Sequence, residues 1–478
     1  MKATSHAFKA NARQALGDPN LQRAMTNLRA GFVERRAHAV AQLPEWEELR
    51  DAAVAIKRDT LAHLDFYLEE FEKKVVANGG QVHWCRDAAE ANAAVLAICR
   101  RLDARTVTKG KSMIGEEMGV NDYLAANGVM PVETDLGEYI IQIRHEPPSH
   151  IIAPAVHLVK EQIAQSFRDT HRALDPARPL RDARQMCDEA RAILRPRFLA
   201  ADVGITGANF LVAETGSSII VTNEGNGDLT QTLPKAHVVL ASIEKAVPTL
   251  EDAATILRLL ARSATGQEFS AYTTVSTGPR RRDDADGPGE YHVVLLDNGR
   301  TEVLRDPEAR QTLHCIRCGA CQNVCPVYRQ TGGHAYNSVY AGPIGAILTP
   351  QLTSMHKGRS LPYASTLCGA CFEACPVKID IPEVLIHLRG RIVADEPEPE
   401  RSLNPEAVAM RAMRWVFLSE RRLRMAQRIG RIAQRPFLRS SGWIERLPGM
   451  LGGWTRTRDL RPLPRESFRE WFEKRGEP

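Results

Sequence analysis

The chain runs to 478 residues, 43% of them apolar and 25% charged, with a formal net charge of +5. That length predicts two or three domains, and the composition is that of a soluble globular protein. So small a charge gives nucleic-acid binding no support.

Residues 1–75 predict an N-terminal helical segment. Apolar positions recur at three and four in AMTNLRAGFVERRAHAVAQL and EELRDAAVAIKRDTLAHLDFYLEEFEKKVVANGG, and Gly79-Gly80 ends the second run. The opening MKATSHAFKANARQALGD lacks the apolar core of a secretory signal, and no apolar run reaches the length of a membrane span. A cytoplasmic protein is expected.

From 76 to 305 the texture changes. RTVTKGKS, EYIIQIRH, ANFLVAETGSSIIVTNEGNG, AHVVLAS and EYHVVLLDNGR read as strands, alternating with helical stretches such as TLEDAATILRLLARSA. This alternation predicts an α/β domain with a largely parallel sheet. Thr249 with Asp252 three positions on marks a helix start. AETGSSII reads most simply as a hairpin, with Glu214 and Thr215 as weak catalytic candidates should they point into a cleft. NEGNGD is a weak candidate for cradling a carboxylate or phosphate through backbone N–H groups, since it lacks the G-x-G-x-x-G spacing. TKGKS lacks the P-loop spacing. Cys85, Cys99 and Cys187 are expected to be small core residues.

The other seven of ten cysteines fall between residues 315 and 375. In a cytoplasmic protein such density points to metal or redox chemistry. Cys315, Cys318, Cys321 and Cys325-Pro326 form a C-x2-C-x2-C-x3-C-P run, in which three thiolates wrap one iron–sulfur cluster and the fourth serves the other. The second run, STLCGACFEACPVK, supplies Cys368, Cys371 and Cys375-Pro376. Exchange assigns Cys315, Cys318, Cys321 and Cys375 to cluster 1, a [4Fe–4S] cube. It assigns Cys325, Cys368 and Cys371 to cluster 2. Zinc is the rival, but zinc sites present cysteine pairs, not triples followed by Cys-Pro.

Ser365 stands where the eighth cysteine would be. Cluster 2 is then expected to be a [3Fe–4S] centre, a [4Fe–4S] cube whose fourth iron falls to Ser365, a histidine (His314, His334 or His356) or solvent, or a cube whose fourth iron is open to a substrate or a partner. A surface role is the simpler expectation for each histidine. Losing one thiolate removes negative charge and raises the reduction potential. Two neighbouring clusters of unlike potential make a relay. The long insert 326–367 suits a helical two-cluster ferredoxin over 306–392. Beyond it, ADEPEPERSLNPEA reads as a linker, opening a basic region over 393–478 that carries Trp415, Trp443, Trp454 and Trp471. Its amphipathic helical stretch is expected to pack on the ferredoxin module or a partner subunit. Docking to an anionic membrane surface comes second, and nucleic acid last.

Three stretches, CIRCGACQNVCPVYRQTGGHAYNSVYAGPIGAILTP, LPYASTLCGACFEACPVKI and AETGSSIIVTNEGNGDLTQTLPKAHVVLASIEKAVPTLEDA, with KGKSMIGEEMGVNDYLAANG, resemble the lactate-utilization protein B family over nearly the whole chain. That resemblance implies a lactate-utilization domain, related in fold to sugar-phosphate isomerases and CoA transferases, beside an α-helical dicluster ferredoxin. It implies work with a cysteine-rich-domain protein and a second lactate-utilization-domain protein, oxidising L-lactate to pyruvate and passing electrons to the respiratory chain. It also implies that three cysteines in the second run are a family feature. The expected function is an electron-transfer subunit of an L-lactate dehydrogenase complex. The rivals are the same relay for another 2-hydroxy acid such as glycolate, an iron–sulfur redox sensor, and an isomerase-like enzyme with a structural cluster.

Overall fold

The structure is a computed structural model that describes residues 5–395 and 405–475. It divides into two compact units, Met1–Val393 and Ala394–Pro478. Most of the expected linker, 396–404, lies outside the described residues.

In the first unit ten strands make two sheets: β1 (Gln81–Cys85), β2 (Thr106–Lys109), β3 (Met130–Glu133), β4 (Val203–Gly207), β5 (Phe210–Val212), β6 (Ser217–Thr222), β7 (Ala236–Ser242), β8 (Ala246–Val247), β9 (Tyr272–Ser276) and β10 (Glu290–Leu296). Six form a wholly parallel sheet in the order β1-β10-β7-β4-β2-β3. β7 is buried at every position, as strands covered on both faces must be. The smaller sheet, β8-β5-β6-β9, contains the expected hairpin as β5 and β6. At its turn Gly216 has φ +68°, and a Cβ there would lie 2.5 Å from Val75 N, so only glycine fits.

The helix Leu250–Thr265 begins as expected. Thr249 Oγ1 accepts from Asp252 N at 3.1 Å, and Asp252 Oδ2 accepts from Thr249 N at 3.2 Å. EYIIQIRH departs from expectation. It lies in a helix, Leu136–Arg144, because Asp135 caps its first turn by accepting from Glu138 N at 3.1 Å. His145, at φ +55°, ends it. The capped start outweighs the β-branched run.

The five N-terminal α-helices, ending with Trp46–Ala62 and Leu64–Ala77, pack into the same unit as the cysteine region. One apolar cluster runs from Met25 and Trp46 through Ile256 and Leu259 to Ile344, Ile347 and Leu385. Between 300 and 393 the described residues are helical or irregular, with no strand; Gly342–Leu352 and Ile381–Ala394 are the longest helices there. Cys85 and Cys99 are buried as expected, but Cys187 is exposed, on the outer side of Ala183–Leu199.

In the second unit, helices Pro405–Phe417 and Glu420–Ala433 pack together yet bury no side chain. Ion pairs Arg431–Glu470 at 2.8 Å and Arg424–Glu473 at 3.1 Å tie the short helix Phe468–Glu473 to the second of them. The expected tryptophans lie under arginines, as Arg422 over Trp415 and Arg475 over Trp471, each at 4.4 Å. No helix of the described residues is long and apolar enough to cross a membrane.

Candidate iron–sulfur site

The two cysteine loops repeat one backbone path. Arg317 (φ +62°) and Gly319 (φ +73°) flank Cys318, just as Leu367 (φ +56°) and Gly369 (φ +83°) flank Cys368. Each left-handed pair leads into a short helix, Ala320–Val324 or Ala370–Ala374, and each helix ends at the cysteine before proline. The two helices pack on each other, bringing the loops together.

Cys315, Cys318 and Cys321 line one cavity with Cys375 of the other loop, the set that the spacing assigns to cluster 1. Ile316, Ile344, Val377 and Ile379 complete an apolar lining. Cys325, Cys368 and Cys371 are mutual electrostatic neighbours on the other side, and Cys368 is exposed. Among the described residues no three His, Cys, Asp or Glu side chains close on one point as a single metal ion requires. Cys315, Cys318, Cys321 and Cys375 share one cavity.

Backbone N–H groups face the sulfurs. Arg317 N donates to Cys315 Sγ, Tyr328 N to Cys325 Sγ and Ile379 N to Cys375 Sγ, each at 3.4 Å. In the second loop Leu367 N donates to Ser365 Oγ at 3.1 Å, so Ser365 takes the place of Cys315 in the repeat. Burial, with Cys375 and Cys315 close by, pushes the Cys318 thiol up to about 12. Burial, with Cys325 close by, does the same for Cys371. Such thiols release their protons only to a strongly positive centre, and the N–H donors suit an electron-rich sulfur cage. The residues present fit iron–sulfur clusters.

Spacing alone did not reveal the residues that brace the site. From the N-terminal helices, Arg50 Nε and Nη2 donate to Cys375 O at 3.1 and 2.8 Å, and Arg36 Nη2 donates to Ala374 O at 2.9 Å. On another flank His150 Nδ1 accepts from Ile152 N and Ala153 N at 3.0 and 3.1 Å, which fixes the proton on Nε2 for donation to Asn323 Oδ1 at 3.0 Å. Burial, with Lys111 adding to it, holds His150 down at about 3, so it stays neutral. A buried ion network joins the α/β domain to the first loop. Arg300 pairs with Glu117 and with Glu244, both at 2.8 Å, and Arg317 pairs with Glu244 at 3.0 Å. Burial alone would raise Glu244, but Arg300 and Arg317 hold it down at about 2.

Of the expected surface histidines, His356 is exposed, but His314 is buried and His334 is engaged by Pro147 O at 2.8 Å. Glu214 and Thr215 lie away from the cysteines. Glu214 is exposed and accepts from Leu250 N at 3.2 Å; Thr215 Oγ1 donates to Ser217 Oγ at 2.8 Å.

Residues 68–296 match the LUD domain family, 311–379 the 4Fe-4S dicluster domain, and 392–477 the lactate utilisation protein B C-terminal family. Lactate utilization protein B of Bacillus licheniformis is 42% identical over 477 residues, covering 99% of this chain and 98% of that protein. The Bacillus subtilis protein of the same name matches with the same figures. That of Shouchella clausii is 43% identical over 476 residues, with the same coverage. Among solved structures, a duf162 family protein from Deinococcus radiodurans aligns with a TM-score of 0.26 and 15% identity, covering 49% of this chain and 98% of its own. With matches of this extent on both sides, the chain belongs to the lactate utilization protein B family.

Proposed function

We propose that this chain is the iron–sulfur electron-transfer subunit of a complex that oxidises L-lactate to pyruvate and passes electrons toward the respiratory chain. The observation that carries this reading is the cavity shared by Cys315, Cys318, Cys321 and Cys375. These four thiolates hold one [4Fe–4S] cluster, and Cys325, Cys368 and Cys371 hold the second. When bound, the clusters supply one-electron transfer at potentials that the surrounding protein sets.

The chain's own groups do the setting. N–H donors from Arg317, Tyr328 and Ile379 stabilise charge on sulfur. The apolar walls exclude water, and Arg36 and Arg50 place positive charge near Cys375. Three thiolates suffice for a [3Fe–4S] centre, or they leave one iron of a cube to Ser365 or solvent. The repeat, which sets Ser365 Oγ where the first loop sets Cys315 Sγ, favours a cube with Ser365 as its fourth ligand.

In this reading residues 1–75 brace the clusters, 76–305 form the lactate-utilization domain, 306–392 carry the clusters, and 393–478 meet the companions. Exposed Met410, Met413, Trp415 and Phe417 support a partner-facing role for that last segment. The companions are a cysteine-rich-domain protein and a second lactate-utilization-domain protein, working on the cytoplasmic side of the membrane that holds the acceptor. The test is anaerobic addition of L-lactate, and separately glycolate, to the chain combined with both companions, following the visible absorbance of the clusters. Bleaching by L-lactate first supports the reading, bleaching by glycolate alone changes the substrate, and no bleaching by either favours a sensor.

A further inference from the structure

Residues 405–475 differ in charge from the rest of the chain. They hold roughly ten more Arg and Lys than Asp and Glu, and every one of these cations but Lys474 is arginine. The whole chain carries only +5, so the remainder is acidic on balance. Most of the segment's carboxylates are already engaged: Glu420, Glu466, Glu470 and Glu473 pair with Arg424, Arg431, Arg469 and Lys474. The segment also has almost no core. Among its described residues Ile444 alone is buried, while Leu451, Trp454, Phe468 and Phe472 stand exposed. So much uncovered apolar surface in so small a unit marks a docking surface.

Helix Glu420–Ala433 sorts these two properties into rows. Met425, Ile429 and Ile432 recur at four and three, and all three are exposed. Arg421, Arg424 and Arg428, spaced at three and four, are exposed as well. At about 3.6 residues per turn the two rows run side by side along one face. Leu423, Ala426 and Gly430 are half-buried on the opposite side, where a Cβ on Gly430 would lie 3.0 Å from Leu463 Cδ1. That side packs inward, so the double row faces out. It is a different set of residues from Met410, Met413, Trp415 and Phe417 of the first helix, which the companions meet.

The occupant must answer both rows at once. Nucleic acid would meet the arginines and leave Met425, Ile429 and Ile432 in water. A protein interface buries apolar side chains in a core depleted of charge, whereas here guanidinium groups run the length of the apolar row. An anionic bilayer offers phosphates to the arginines at the depth where acyl chains begin to take up apolar side chains. Exposed Trp454, with Arg458 over its ring at 5.8 Å, is a further pair suited to the headgroup level. No helix of the described residues is long and apolar enough to cross the bilayer, so the contact is peripheral.

We propose that helix Glu420–Ala433 docks flat on an anionic lipid bilayer, with Met425, Ile429 and Ile432 at the top of the acyl chains and Arg421, Arg424 and Arg428 among the headgroup phosphates. This docking goes beyond the electron-transfer reading and needs none of its cysteines.

The test is flotation of the full-length chain, purified anaerobically, with phosphatidylcholine vesicles made with and without phosphatidylglycerol. Wild-type protein floats with the anionic vesicles and not with the neutral ones, and added salt weakens its hold. Arg421→Gln combined with Arg428→Gln weakens binding about tenfold or more. Ile429→Gln combined with Ile432→Gln weakens it about tenfold through lost apolar burial. All four side chains are exposed, and unchanged circular dichroism confirms that both variants fold. Visible cluster absorbance, read on the same samples, reports separately on the electron-transfer reading and stays as in wild type. Vesicle binding by a colourless chain would overturn that reading and support this docking. No flotation with anionic vesicles, equal flotation with neutral ones, or wild-type binding by either variant overturns the proposal. Loss of vesicle binding when both companions are added gives the face to a protein interface and overturns it too.

Discussion

Ser365 stands in the second cysteine loop where Cys315 stands in the first. Each accepts the backbone N–H of the residue two positions on, at 3.1 Å from Leu367 and 3.4 Å from Arg317. Both donors have left-handed backbones, so the likeness extends to local geometry. Ser365→Cys is expected to give a fully thiolate-held cube with a lower reduction potential, because another thiolate adds negative charge. Ser365→Ala is expected to give the oxidised-state EPR signal of a three-iron centre. An EPR-monitored redox titration of the three proteins reads both effects, and identical spectra and potentials would refute the role given to Ser365.

Arg50 holds the loop that ends in Cys375 through two hydrogen bonds to one carbonyl, with Glu47 anchoring its other end at 2.8 Å. Arg50→Met is expected to cost about 2–3 kcal/mol, the loss of charge-assisted bonds at a buried acceptor. Removing a cation near Cys375 should also lower the potential of the first cluster by on the order of tens of millivolts. Urea unfolding and a redox titration of the same sample measure the two effects.

Arg300 is fully buried and pairs with both Glu117 and Glu244. Tyr340 also donates to Glu117, at 2.6 Å. Arg300→Met leaves two buried carboxylates without their shared cation and should destabilise by about 3–5 kcal/mol. Because Glu244 also holds Arg317, clusters should be lost faster at moderate urea than from wild type. Loss of visible absorbance with time checks this.

Glu138 gives the protein a pH dependence of known sign. It is 1% exposed, and both its carboxyl oxygens lack partners among the described residues. Burial first, then Glu116 and Glu133, hold its pKa well above the carboxylate range. A group whose folded pKa is raised contributes stability that is complete below its unfolded value and is lost as pH rises through the folded one. Burial raises Glu133 to about 7, so it acts in the same direction. Stability should fall as pH climbs from about 4.5 through neutrality. Glu138→Gln, neutral at every pH, should flatten that fall. Urea midpoints of the two proteins across this range measure the difference.

Much of this was legible in the sequence, and particular residues show why. Thr249 with Asp252, the hairpin at Gly216 and the apolar run AHVVLAS are local patterns, and each forms the element that its pattern dictates. Cys375 and Cys318 line one cavity, as expected from the spacing, because that expectation needs only the local pattern within each run. EYIIQIRH misled because eight residues of mixed β-branched and polar character fit a strand, while the deciding group, Asp135, stands outside the run. Arg36, Arg50 and Arg317 gave little signal, since their partners lie far along the chain: Ala374 is 338 residues from Arg36, Cys375 is 325 from Arg50, and Glu244 is 73 from Arg317. Arg317 carried one hint, lying between two cysteines of the first run.

The electron-transfer reading requires that these thiolates hold iron and sulfide. The most direct measurement is the metal and acid-labile sulfide content of the full-length chain purified without oxygen, with EPR after reduction by dithionite. A brown protein with about eight iron atoms and about eight sulfides, and a reduced-state signal from two interacting clusters, is the expected result. A colourless protein with bound zinc and no sulfide would contradict it.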